Sequence, residues 1–246
     1  SVESLSLHRH EPIGEQSFSY LQKMSNLKWL EISFSHDWNQ TLGNESPVFT
    51  DIGLNALVNM TSLTKLTLED YSDFGENPAI GFTKQAWERF LKNDKWEELG
   101  FHNMTGLTDT VLIDLALLPN LKSLELSGCL RSDSAVSTLA TSLARNETIE
   151  TIIIISNEWQ PEQVFRVTDE FLGKLKENKT IKFLDIELHE DASMACLQYV
   201  AEMEQLEDLY IGSDAIDFTK EELDELQNAL PNCFIWLNGT GKTILS

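Results

Sequence analysis

The chain has 246 residues, 41% of them hydrophobic and 24% charged, and a formal net charge of −22 from 40 acids against 18 bases. That surplus excludes nucleic acid or an anionic membrane as the main partner, because both require a basic footprint. A membrane helix is excluded too: the longest apolar run is Cys233-Phe234-Ile235-Trp236-Leu237, where roughly 18 residues are needed.

In chain order, nine segments alternate apolar residues as strands do: Val2–Leu7, Leu27–Ile32, Leu63–Leu68, Trp96–Phe101, Leu121–Leu126, Ile149–Ile154, Ile181–Ile186, Leu206–Ile211 and a degraded copy, Cys233–Leu237. Their first positions are separated by 25, 36, 33, 25, 28, 32, 25 and 27 residues. Amphipathic helical segments fall between them and open at Thr50, Thr83, Thr108, Ser132, Thr168 and Thr219. At Thr50, Thr108, Ser132 and Thr168 the next residue is Asp. A hydroxyl satisfies free amides at a helix start, and the acid faces the positive end of the dipole. Asn120, Asn146 and Asn178 follow helices, where a left-handed Asn ends a helix.

One strand–helix unit has a single apolar face and buries it only by stacking on a neighbour. The expected architecture is therefore an α/β solenoid of about nine repeats, one domain over residues 1–246. A parallel sheet lines its concave face, helices lie outside, and residues 239–246 form a tail. Leu121-x-x-Leu124-x-Leu126, the most regular copy, resembles the leucine-rich repeat. Thr50-Asp51-Ile52-Gly53-Leu54-x-x-Leu57 is similar to the T-D-x-G-L-x-x-L repeats of bacterial proteins and of the cysteine-containing subclass. Leu107-Thr108-Asp109 and Leu126-Ser127-Gly128-Cys129 follow it. The irregular spacing resembles the repeat arrays of NOD-like receptors. What the superfamily resemblance implies is protein–protein recognition, with catalysis uncommon.

The departures from regularity carry the functional reading. Insertions at 33–47, 69–80 and 156–167 lie between a strand and its helix and bring Trp38, Tyr71, Phe74, Trp159 and Phe165 to one rim. Along the strands, period 2 turns Trp29, Glu31, Glu98, Glu125, Ile153, Ile155, Phe183, Asp185 and Tyr210 outward. These nine residues, with Trp38 and Trp159, are the expected partner contacts. Ile153 and Ile155 weigh most, since an exposed apolar patch usually covers something; the alternative is that neighbouring side chains or the Trp159 loop already cover them. The expected function is a non-enzymatic protein-interaction module, without metal or cofactor, whose partner is a protein and is basic if the acidic charge serves recognition rather than solubility. One alternative is the ligand-sensing or autoinhibitory segment of a larger receptor, since Val2-Glu3-Ser4-Leu5 reads as a repeat strand without a cap. Another is a metal-dependent hydrolase, which the sequence disfavours: His8 and His10 share one side of a segment, but His102 lies three repeats from His8.

Two further patterns invite other readings, a nucleotide site and secretion with glycosylation. Gly239-Thr240-Gly241-Lys242-Thr243 imitates a phosphate loop, but the required earlier glycine is Trp236 and no helix follows. Glycosylation sequons stand at Asn39, Asn44, Asn59, Asn103, Asn146, Asn178 and Asn238. Repeat geometry accounts for Asn59, Asn146 and Asn178, while Asn103 stays unexplained beside the loop and tail sites. Cys129, Cys196 and Cys233, odd in number and scattered, read as buried thiols and favour a reducing, cytoplasmic setting over secretion.

Overall fold

The computed structural model describes residues 2–9, 15–34, 49–71, 80–104, 107–129, 133–155, 167–240 and 242–245. The chain forms two compact units, residues 1–121 and 122–246. The first contains β1 (Ser4–Arg9), α1 (Glu15–Leu21), β2 (Trp29–Phe34), α2 (Asp51–Val58), β3 (Lys65–Asp70), α3 (Lys84–Leu91), β4 (Glu98–His102) and α4 (Asp109–Ala116). The second contains β5 (Ser123–Ser127), α5 (Asp133–Arg145), β6 (Thr151–Ile155), α6 (Asp169–Leu175), β7 (Phe183–Leu188), α7 (Ala195–Ala201), β8 (Asp208–Ser213), α8 (Lys220–Ala229), β9 (Phe234–Gly239) and β10 (Lys242–Leu245).

Within each unit the strands up to β9 are parallel neighbours in sequence order, so each of these is joined to the next by a helical crossover. The paired positions repeat without slip. Leu30, Leu66 and Leu99 align in the first unit; Leu124, Ile152, Leu184, Leu209 and Ile235 align in the second. All are buried, which fixes the register, because a one-residue slip would expose the whole set.

The strands begin about two residues later than the apolar pattern predicts. Leu27, Leu63, Leu121, Leu206 and Cys233 head the sequence motif but precede the strands. Their amides donate to Met24, Met60, Leu118, Met203 and Leu230 oxygens at 3.0–3.3 Å. The first motif position is therefore a buried plug in the helix-to-strand turn. Helices α1 and α7 were not singled out by the start signal, and neither is preceded by a hydroxyl residue followed directly by an acid.

The start signal acts in two ways. Thr83, Thr108, Thr168 and Thr219 accept from the amides of Ala86, Val111, Phe171 and Glu222 as helix caps. Thr50 makes no such bond. Its neighbour Asp51 instead accepts from Thr83 N and Oγ1 at 2.8 and 2.5 Å, one repeat onward. Asp169 does the same for Ser193 N and Oγ, with a 2.6 Å bond to the hydroxyl. In Thr168-Asp169 the hydroxyl caps one helix while the acid ties down the start of the next.

The asparagines work differently from expectation. Among the described residues the only non-glycine with positive φ is Asn103 at 59°, just after β4. Asn120, Asn146 and Asn178 are not left-handed and act through their side chains. Asn178, 1% exposed, donates to Leu143 and Asn146 oxygens at 2.7 and 2.8 Å and accepts from Thr180 and Ile181 amides at 2.7 and 2.9 Å. Asn146 accepts from Thr148 and Ile149 amides, both at 2.7 Å. The Asn-x-Thr triplets at 146 and 178 are therefore turn staples, and Asn103 is a left-handed turn residue.

The first unit's helix layer is aromatic: Phe18, Phe49, Phe82, Trp87, Phe90 and Trp96 form a chain of ring contacts at 4.6–5.6 Å. Gly53 is fixed by this packing, since a Cβ there would overlap both Phe49 and Phe18. Lys95 donates to Leu57, Val58 and Met60 oxygens at 2.7–3.0 Å and lies 4.4 Å from the Trp96 ring centroid. A cation from the next repeat thereby satisfies the carbonyl end of α2; burial pulls its pKa down to about 8.

The segment expected as a tail is a hairpin. Strand β10 runs antiparallel to β9, pairing Thr243 with Asn238 and Leu245 with Trp236. Gly239 is needed because a Cβ there would stand 2.5 Å from the Ile216 oxygen. The phosphate-loop imitation is hairpin chemistry.

Candidate functional site

In the second unit the inward strand positions fill the core, and their neighbours form the opposite face of the sheet. Register sets that face out in rows. One row reads Ser123, Thr151, Phe183, Asp208, Phe234; the next reads Glu125, Ile153, Asp185, Tyr210, Trp236. Farther along, Glu187, Gly212 and Asn238 align, and Ser127 pairs with Ile155. Adjacent positions in a row are about 4.8 Å apart, the spacing of neighbouring strands.

Four rings meet on the last three parallel strands. Tyr210 is central, with centroids 5.4 Å from Phe183, 5.7 Å from Phe234 and 6.0 Å from Trp236. All three pairs are tilted, at 33–49° between ring planes. They remain open to solvent, Phe234 by 40% and the other three partially. Ile153 and Ile155 are half-buried, less open than their motif positions predict.

Asp185 stands in the middle row between Ile153 and Tyr210, with Phe183 two residues before it on the same face. Among the described residues it makes no hydrogen bond or ion pair. Its pKa is raised to about 6, first by burial and then by the charges of Glu125 and Glu187. Three lysines of this unit are paired with other acids. Lys182 lies 3.2 Å from Glu150, Lys176 pairs with Glu202 at 2.8 Å, and Lys174 pairs with Glu170 at 2.8 Å. Gly212, beside Tyr210 and Glu187, leaves a notch. A Cβ there would meet only Glu187 Cγ and the Ile186 oxygen, at 3.8 and 3.9 Å, so packing does not demand glycine.

The first unit's face has a different character. Trp29, 39% exposed, aligns with Lys65 and Glu98, and Glu31 aligns with Thr67 and Gly100. Glu98 is paired with Lys65 at 2.5 Å. His8 hydrogen-bonds Ser33 at 2.6 Å, and His102 lies 3.8 Å from Glu69. In register His8, Ser33, Glu69 and His102 occupy four successive strands, so the two histidines are three strands apart.

The eleven expected contacts thus divide. Trp29, Glu31 and Glu98 belong to the first unit; Glu125, Ile153, Ile155, Phe183, Asp185 and Tyr210 belong to the second; Trp38 and Trp159 lie outside the described residues, as do Phe74 and Phe165. Sequence reasoning missed Phe234, Trp236 and Gly212. The signal was present, since both aromatics sit at outward positions of β9. It was obscured because Cys233–Leu237 reads as one apolar run rather than as an alternation.

Cys129, Cys196 and Cys233 are free and buried. Burial pushes the Cys196 thiol up to about 12 and the Cys233 thiol up to about 11, the opposite of nucleophile activation. No described helix is long and apolar enough to cross a membrane.

No family model matches the sequence, and no curated protein sequence does. Among solved structures, a chain of the Rad7–Elc1 complex from yeast superimposes with a TM-score of 0.59 at 19% identity. The match covers 87% of this chain and 50% of that one, so the present chain spans half its length. An internalin (inlF) from Listeria monocytogenes matches with a TM-score of 0.45 at 15% identity, over 87% of this chain and 62% of that one. The strand–helix alternation and the first likeness establish the α/β leucine-rich-repeat solenoid as the fold.

Proposed function

We propose that the protein is a recognition module that binds a protein partner on the outward face of the second unit's sheet, at Ile153, Asp185 and the rings of Phe183, Tyr210, Phe234 and Trp236. The observation that carries this reading is the ring cluster itself. Four aromatic side chains converge on a solvent-facing sheet surface, where they contribute nothing to the core beneath. Aromatic anchors of this kind, bordered by charge, dominate the energetics of protein interfaces. The likeness to a chain from a two-protein complex is consistent with the same class of function. In this reading no reaction is catalysed; the acidic border selects partners and speeds encounter.

The test is partner capture from the native cell by the purified chain. Tyr210→Ala and Trp236→Ala, each with an unchanged circular dichroism spectrum, are expected to abolish capture of a stoichiometric partner. Ile153→Glu is expected to weaken it at least tenfold. Capture that tolerates all three changes, yet is lost when residues 156–166 are deleted, would move the contact to the inserted segment and refute the sheet-face assignment.

A further inference from the structure

The notch at Gly212 gives this surface a chemical preference. Asn238 is aligned with it on β9, and four further groups surround it in the strand register. Glu187 lies beside it on β7, with Asp185 on the same face two residues earlier. Tyr210 precedes it by two residues on β8, and Trp236 is aligned with Tyr210 on β9. Two carboxylates therefore lie on one side and two rings on the other, 6.0 Å apart by centroid. Gly53 and Gly239 are demanded by crowding, whereas the space over Gly212 is open and a side chain would fit.

We propose that this notch seats the guanidinium of an arginine presented by the partner protein, with Asp185 and Glu187 accepting its hydrogens and Tyr210 and Trp236 meeting its planar face. The inference rests on the sheet-face reading above and adds the chemistry of the occupant. Three physical arguments select arginine. An acid set among Ile153, Phe183 and Tyr210 has lost much of its hydration, and a cation restores the missing interaction. A guanidinium is planar and weakly hydrated, so it stacks on aromatic rings at small desolvation cost. Its fork of donors engages a carboxylate through two parallel bonds, which a lysine ammonium does not do. The net charge of −22 brings such a cation in by long-range attraction.

The experiment pans a library of random peptides displayed on phage against the full chain, at neutral pH and low salt. The selected peptides are then synthesised. The expected result is that they carry an arginine next to an apolar residue. Replacing that arginine by citrulline, which keeps its shape and removes its charge, weakens binding at least tenfold, and lysine does not rescue it. On the protein, Asp185→Asn and Gly212→Thr each cause a similar loss. Affinity for the unaltered chain falls as pH is lowered through about 6, whereas Asp185→Asn is flat over that range. Gly212→Thr fills an open notch with a residue that strands favour, so its melting temperature stays at or above that of the parent. Should it unfold, Asp185→Asn and citrulline carry the test. Peptides that require Tyr210 and Trp236 but tolerate citrulline, lysine or Asp185→Asn overturn the arginine seat and leave the sheet-face reading intact. Peptides indifferent to Tyr210→Ala and Trp236→Ala overturn both.

Discussion

At the scale of single residues, Asp185 is the position where stability and function pull apart. Its folded pKa, about 6, exceeds the ordinary 3.8. Between those values the folded state binds more protons than the unfolded one, so stability falls as pH rises from about 4 to about 6. Above pH 6 the cost is fully present. Asp185→Asn is therefore expected to raise stability at pH 7 by about 1 kcal/mol, a figure reduced for the solvent screening of a partly open group. The gain should be mostly lost at pH 4, where the folded state is protonated and the unfolded state nearly half so. Urea melts of the two proteins at pH 4 and pH 7 measure it; an equal gain at both pH values would mean that charge is not the cause. Gly53 presents the opposite case. Alanine is the better helix former by about 1 kcal/mol, but its methyl would overlap Phe49 and Phe18 in a close-packed aromatic layer. Overpacking costs about 1–3 kcal/mol, so Gly53→Ala is expected to lower the urea midpoint. An unchanged or raised midpoint would show that the rings move aside freely.

At the scale of the element, the repeat is legible in the sequence because burial alternates at the central positions of most strands. Leu124 and Leu126, Ile152 and Ile154, Leu184 and Ile186 face inward as period 2 requires. The strand starts were misplaced because Leu121 and its equivalents are as apolar as strand residues, although their amides return to the preceding turn. Burial is written in residue type, while backbone pairing is not. The asparagine staples were half legible. Their positions were plain, but whether an Asn bends the chain or bonds across a turn depends on backbone angles that residue type leaves open. Asn178 joins its own turn to the carbonyls of Leu143 and Asn146 in the preceding repeat. Asn178→Ala leaves the Leu143 oxygen only its bond from the Asn146 amide and takes the side-chain partner from the Asn146 oxygen and the Thr180 and Ile181 amides, at about 1–3 kcal/mol for each buried group left unsatisfied. A loss of at least 2 kcal/mol in urea unfolding is expected. Asn120→Ala removes a single exposed bond to the Asp94 oxygen and should cost under about 1 kcal/mol. Equal costs would sink the claim that burial and bond number separate the two. The candidate surface was legible only in part for a related reason. Phe183, Tyr210 and Asp185 stand out against alternating partners, but Trp236 sits in an unbroken apolar run, and an empty notch leaves no mark except a glycine.

At the scale of the whole molecule, charge has two consequences of opposite sign. Residues 1–121 hold 17 acids and 8 bases, residues 122–246 hold 23 and 10, so the units carry −9 and −13. Each unit repels itself, and that repulsion raises the free energy of the compact state more than that of the extended chain. Salt shortens the screening length from about 30 Å at 0.01 M to about 10 Å at 0.1 M. Over that interval the melting temperature is expected to rise by about 2–4 °C, which corresponds to about 1 kcal/mol for a chain of this size. The same screening weakens the pull on a cationic partner, so the association rate should fall while the fold grows more stable. Dissociation should change little, because the guanidinium seat and its rings act at contact distance, within the screening length. Thermal melts and stopped-flow association across one salt series measure both. If stability and association rate moved together, a salt-dependent change of the fold, rather than screening, would govern binding. Opposite movement ties the acidic composition to encounter and leaves affinity at contact to the few side chains around Gly212.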